Sequence, residues 1–215
     1  FVILLTGHKE REAQYKLKTA SEMKSQHTNA LKHWTLWQTI RDNKFWLIQP
    51  SVIAVPAIIF SIQFHQLYII ESKDWVLSIY AASYTLFALA LVLGTIIGGV
   101  LVDRIGSLKV IQCSLLPLLP ALIGLALFSS QFTIYSLMLL SGFSFGIALV
   151  AYITVWAELY GTKHMGAIRS FFFSLNVFFT SGIMALIGFL IDQGIEITIM
   201  AASGIILICV ASLLL

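Results

Sequence analysis

Asp103 and Arg104 stand side by side in Gly99-Val-Leu-Val-Asp103-Arg104-Ile-Gly106-Ser-Leu-Lys109, with an apolar run of membrane length before them and another after. An acid next to a base at the edge of a hydrophobic run suits electrostatic control of helix positions. A carboxylate is favoured at a helix N-terminus, where free N–H groups and the macrodipole both attract it. A guanidinium presents a rigid fork that matches a carboxylate. Glu158, at the end of a later apolar run, is a candidate partner for Arg104, and Arg169, at the start of the next, is one for Asp103. With Gly99, Gly106 and Lys109 these residues form a candidate conformational charge cluster, closed in one state and open in another. A plainer reading also stands, in which they cap a tight turn and fix its side of a membrane.

Polar side chains inside the apolar runs supply a second kind of chemistry. They are costly in lipid and face a cavity or another helix. Gln49, Gln63, His65, Gln66 and Tyr68 lie in the first long run, with Pro50 and Pro56 free to bend it. Gln63 and Gln66 are three apart and share a helix face, with His65 off that face. The fourth run offers Ser141, Ser144, Tyr152 and Thr154, and the fifth Asn176 and Thr180 at i, i+4. An amide donates and accepts without burying a charge. Gln63, Gln66, His65, Tyr152 and Asn176 are therefore the candidate cavity residues for a small solute, though each can instead bond a neighbouring helix. His65 is the titratable side chain placed to change charge near neutral pH, and a neutral, hydrogen-bonded packing role is its alternative. No Asp, Glu, Lys or Arg lies in the middle of a run. Metal-ligand spacing is missing, as are His-x-x-x-His, Gly-x-Ser-x-Gly and phosphate-cradling glycine loops. No catalytic residue, metal or cofactor is expected. Cys113 and Cys209 fall in different runs and read as buried small hydrophobes.

Membrane-spanning helices must position these groups. Hydrophobic residues make up 59% of the chain and charged residues 11%, against roughly 25% charged in a soluble domain. Six apolar segments, near 45–70, 75–102, 108–128, 132–157, 168–191 and 195–215, are each long enough for a helix to cross lipid. Their apolar character is continuous, with none of the alternation of a barrel strand. Gly94-x3-Gly98 and Gly142-x3-Gly146 put small residues on one helix face, which permits close approach of helices. Of thirteen Lys and Arg, eight lie in 8–44, two are Arg104 and Lys109, and two are Lys163 and Arg169; only Lys73 falls on the other side of a six-span zigzag. The positive-inside rule then makes loops 6–44, 103–107 and 158–167 cytoplasmic, in a plasma (inner) membrane. The net charge of +3 reflects topology, not nucleic-acid binding. Trp46 and Trp75 stand at span starts, where interfacial aromatics are common. Leu31, Trp34 and Trp37 follow helical spacing, so 29–44 is expected to form an amphipathic helix on the inner surface.

Gly99-x3-Asp103-Arg104-x-Gly106-x2-Lys109 resembles the cytoplasmic loop signature of the major facilitator superfamily, Gly-x3-Asp-Arg-x-Gly-x-basic-basic, found once in each six-helix half. Leu108 stands where a basic residue is usual. Glu158-Leu-Tyr-Gly161-Thr-Lys-His-Met-Gly166-Ala-Ile-Arg169 is similar to the loop before the fifth helix of a half. Arg41-Asp-Asn-Lys-Phe-Trp46, with Phe64-His65-Gln66 and Lys73-Asp-Trp75, resembles the start of the second half in monocarboxylate- and oxalate/formate-like members. The resemblance implies an all-α membrane protein. Residues 1–5 would end a preceding transmembrane helix, 6–44 would be the central cytoplasmic loop, and 45–215 the C-terminal six-helix bundle of a twelve-helix fold. It implies an N-terminal six-helix half of the same protein as partner. It also implies secondary active transport of a small solute by alternating access, an organic anion such as a monocarboxylate being the candidate, as symporter or antiporter. First- and fourth-position helices would line the cavity. A non-transporting sensor or scaffold of the same fold is the alternative, favoured by a tight charge cluster without polar groups in the cavity.

Overall fold

Backbone polar groups in lipid must be satisfied within the segment, so each apolar run folds as a helix. The computed structural model describes residues 33–214. It contains α1 (Leu36–Ile40), α2 (Asn43–Phe64), α3 (Gln66–Ser72), α4 (Leu77–Ile105), α5 (Ser107–Leu115), α6 (Leu118–Leu127), α7 (Phe132–Tyr160), α8 (Met165–Asp192) and α9 (Ile197–Leu214). Six spans result, with α5 and α6 together making the third. The expected helix end at 1–5, and the expected loop 6–44 as far as residue 32, lie outside the described residues.

Two spans are broken, and local chemistry explains one break. Pro117 follows Leu116 between α5 and α6, and a proline ring removes an N–H and crowds the preceding turn. The first span breaks at His65, which has φ −95° and ψ 24° and joins α2 to α3. Pro50 and Pro56 lie within α2 without ending it. The amphipathic helix expected over 29–44 is, where described, only the short α1. Gln38 Oε1 accepts from Thr35 N at 2.9 Å, which starts α1 after Trp34, and Asp42 Oδ1 accepts from Lys44 N at 3.1 Å to start α2. Trp34 and Trp37 therefore do not share a helix face. Trp34 packs edge-on against Tyr160 at 5.5 Å, whereas Trp37 is 72% exposed.

The core lies in three layers along the bundle. At the Asp103 end, Phe45, Val102, Val110, Trp156 and Phe172 meet. In the middle, Val55, Ile59, Leu118, Ala148 and Ile208 meet. At the other end, Ile69, Trp75, Tyr80, Leu125 and Ile134 meet. Ser51 Oγ donates to Ala211 O at 2.7 Å and ties the first span to the sixth. Trp75 is buried, and its Nε1 donates to Ser129 O at 2.8 Å, joining two turns instead of standing in lipid headgroups. Trp46 is half exposed, and its Nε1 donates to Ile40 O at 2.8 Å. Cys209 is exposed and Cys113 partly buried, so the expected burial of both thiols does not hold.

The closest packing is between α4 and α7. A Cβ on Gly98 would stand 2.9 Å from Ile147 Cα, and one on Gly146 would stand 2.7 Å from Thr95 N and overlap Leu91 O. Gly94 and Gly142 likewise face backbone of the opposite helix, at Phe143 and Phe87. The two helices thus touch along their main chains, as the four-residue glycine spacing suggests.

Candidate solute cavity and charge cluster

A groove of about 1130 Å³ runs along the bundle between α2, α7 and α8. Pro56, Phe60 and Gln63 face it from α2, and Phe145, Leu149, Tyr152 and Ile153 from α7. From α8 come Arg169, Phe173, Asn176, Thr180 and Met184, a single helical face at spacings of three and four. The walls are mainly apolar and aromatic, with a few polar groups set among them, which is the usual make-up of a small-molecule site.

Three of the five expected cavity residues lie here: Gln63, Tyr152 and Asn176. Thr180 Oγ1 reaches Asn176 Oδ1 at 3.5 Å, the outer limit of a hydrogen bond. Gln66 does not line the groove. Its Oε1 accepts from Tyr84 OH at 2.9 Å. The break at His65 is the reason, because Gln63 and Gln66 fall in different helices and lose the face that unbroken spacing would give them. His65 also turns away from the groove. Its Nδ1 donates to Ser61 O at 3.0 Å, and its Nε2 packs against Gly188 of α8.

The charge cluster takes another form than expected. Gly106, at φ +83°, makes the turn from α4 to α5 in a conformation that favours glycine. Asp103 and Arg104 are exposed in the last turn of α4. Glu158 accepts from Ser107 N at 3.2 Å and from Ser107 Oγ at 2.5 Å. The anion at the N-terminus of α5 is thus Glu158, reaching across from α7, and not Asp103. Arg104 basicity at a helix C-terminus suits the macrodipole. Arg169 donates from Nη2 to Ile153 O at 2.9 Å. Lys109 and Gly99 lie on the same two helices, with open space beside Gly99. Among the described residues, Asp103, Arg104, Glu158 and Arg169 are joined by no hydrogen bond to one another.

Sequence reasoning placed Arg169 in the cluster and missed its place in the groove. The signal was present: Arg169, Asn176 and Thr180 follow i, i+7, i+11 and share one face. Gln49, Tyr152 and Trp156 hold a further surprise. Among the described residues, both polar atoms of the Gln49 amide, the Tyr152 hydroxyl and Trp156 Nε1 are buried without a hydrogen-bond partner. Also among the described residues, no group of three or more His, Cys, Asp or Glu gathers to hold a metal ion.

Six apolar spans, with a long groove of scattered polar groups among them, define a multi-pass membrane protein. The model of the Major Facilitator Superfamily matches residues 1–178, and the chain belongs to that superfamily. No curated protein matches it.

Proposed function

We propose that this chain is the C-terminal half of a secondary active transporter, which moves a small solute by alternating access. The N-terminal half of the same protein would cover the groove, and rocking of the halves would expose it to each side in turn. The supporting observation is the groove itself, where Gln63, Tyr152, Asn176, Thr180 and Arg169 interrupt apolar walls. Polar groups in the groove and Asp103 and Arg104 on the surface weigh against a sensor locked by its charges. The charge distribution supports a plasma-membrane orientation with the Asp103 turn and the 158–167 loop in the cytoplasm. The monocarboxylate- and oxalate/formate-like motifs support an organic anion as solute.

A cysteine at Asn176 tests this in sided vesicles holding the full-length protein. An impermeant maleimide is expected to react from either face, while the vesicles stay tight to the dye. Reaction from one face only, with and without solute, would remove the transporter reading and favour the sensor.

A further inference from the structure

We infer that a crevice between α8 and α9 is a binding site for one acyl tail of a bilayer phospholipid. The inference stands apart from what the groove carries. The crevice has a volume of about 250 Å³. Ala57, Ile58 and Ser61 form its wall on α2, whereas Pro56, Phe60 and Gln63 of that helix face the groove. α2 therefore stands between the two spaces. The other walls include Leu122 and Leu125 of α6, Leu186 and Ile187 of α8, and Met200 and Leu207 of α9. Ile58 and Leu122 belong to the middle layer of the core; Ile69, Leu125 and Ile197, which also line the crevice, belong to the layer farthest from Asp103. The crevice thus runs from mid-bilayer into the leaflet away from the Asp103 turn. Tyr68 OH donates to Ile195 O at 3.0 Å and ties α3 to the turn between α8 and α9, beside Ile69 and Ile197. That tie spans the end of the crevice and leaves an opening to the side, between Leu186 and Ser203, both exposed.

The lining selects hydrocarbon. Among the described residues, no charged side chain and no amide lines the crevice. Its two hydroxyls are engaged or hidden: Ser203 Oγ donates to Met200 O at 2.7 Å, and Ser61 Oγ is buried within the wall. A headgroup or polar solute would lose its water here and gain no bond. Water does not fill such a space either, since apolar cavities stay dry, and one of about 150 Å³ already holds a benzene-sized guest. Left empty, the wall atoms would forgo their dispersion contacts. The mouth continues into exposed apolar surface on both helices, with Phe189 on α8 and Ile199 and Ile206 on α9. In a chain of six membrane spans that surface meets acyl chains, so a tail reaches the crevice by moving sideways and never crosses water.

The test places the full-length protein in phosphatidylcholine nanodiscs, with a fraction of the lipid carrying a photoreactive diazirine near the end of one tail. After irradiation, adducts are mapped by peptide mass spectrometry. Wild type is expected to carry more adduct on Met200, Leu186 and Ile187 than on the lipid-facing Ile206. Gly204→Leu should fill the crevice, since a Cβ there meets Leu122 Cδ1 at 3.0 Å and Ile58 Cγ1 at 3.8 Å. Crevice adducts should then fall by roughly tenfold or more, the effect of excluding about two methylenes, with adducts at Ile206 unchanged. Gly182→Leu, where a Cβ meets nothing within 4 Å, should label as wild type does. Ile187→Trp narrows the same space from α8 and carries the test if Gly204→Leu fails to fold. Crevice residues labelled no more than Ile206, or crevice labelling that survives filling in folded protein, overturns the tail site. Disulfide cross-linking between two copies through a cysteine at Leu186 would give the crevice to a second copy of the chain and overturn it as well.

Discussion

Gly146→Ala is the sharpest perturbation that the α4–α7 contact offers. The new methyl would stand 2.7 Å from Thr95 N and 3.0 Å from Gly94 C, besides overlapping Leu91 O. Carbon needs about 3.5 Å or more from a heavy atom, so α4 must retreat by close to 1 Å. Main chain cannot rotate aside as a side chain can. The retreat also opens the neighbouring contacts of Gly142 with Phe87 and of Gly98 with Ile147. Overpacking of this kind costs about 1–3 kcal/mol. Gly182→Ala in α8 is the control, because a methyl there meets nothing within 4 Å. Alanine is the better helix former by up to about 1 kcal/mol, so the control should be neutral or slightly stabilising. Both variants gain the same propensity, so they are expected to differ by roughly 1–3 kcal/mol, the overpacking cost alone. Unfolding of the full-length protein with rising SDS mole fraction, followed by near-ultraviolet circular dichroism, reads the difference. If Gly146→Ala resists SDS as well as Gly182→Ala does, main-chain contact between the helices is not what holds them.

Other expectations follow from single contacts. Gln63→Ala should weaken solute binding, whereas Gln66→Ala should leave affinity alone and lower stability by about 1 kcal/mol through loss of its bond to Tyr84; affinity and SDS resistance measured on both variants separate the two roles. Glu158→Ala should destabilise the fold by about 1–3 kcal/mol, since Ser107 N and Oγ lose their charged acceptor, and Ser107→Ala should remove part of the same energy; a double-mutant cycle showing full additivity would deny the link. In intact cells a cysteine at the exposed Thr162 should be shielded from an impermeant outside reagent and one at the exposed Ser72 should react; the opposite pattern inverts the orientation. Asp103→Asn is expected to slow transport and leave solute affinity nearly intact, and an unchanged rate reduces Asp103 to a topology marker.

The spans were legible because hydropathy depends on composition, and lipid admits few backbone alternatives. The contact of α4 with α7 was legible too, since glycine at i and i+4 has few uses other than close approach. The site was harder, for reasons visible in particular residues. The Gln63–Gln66 pairing assumed an unbroken helix, and the turn at His65 carries no proline or glycine to announce it. Asp103 was assigned the helix N-terminus by proximity along the chain, yet Glu158 takes that place from another helix. Spacing along one helix cannot report such a crossing. Arg169 was read by its position at a span's end, while its long side chain reaches to the level of Ile153.

The exposure of α8 bears on how the protein is made. Only 6% of its most apolar window is buried within this bundle, against 72% for α2. Packing against its own neighbours therefore contributes little to keeping α8 in place, and partition from the translocon into lipid must rest on hydropathy. Its mean hydropathy of 1.9 equals that of α2. Asn176 is a polar side chain on this helix, and polar groups are costly in lipid, so it taxes the release of α8 into the bilayer. A further charge on this helix would be felt at the translocon before it could be felt by any solute.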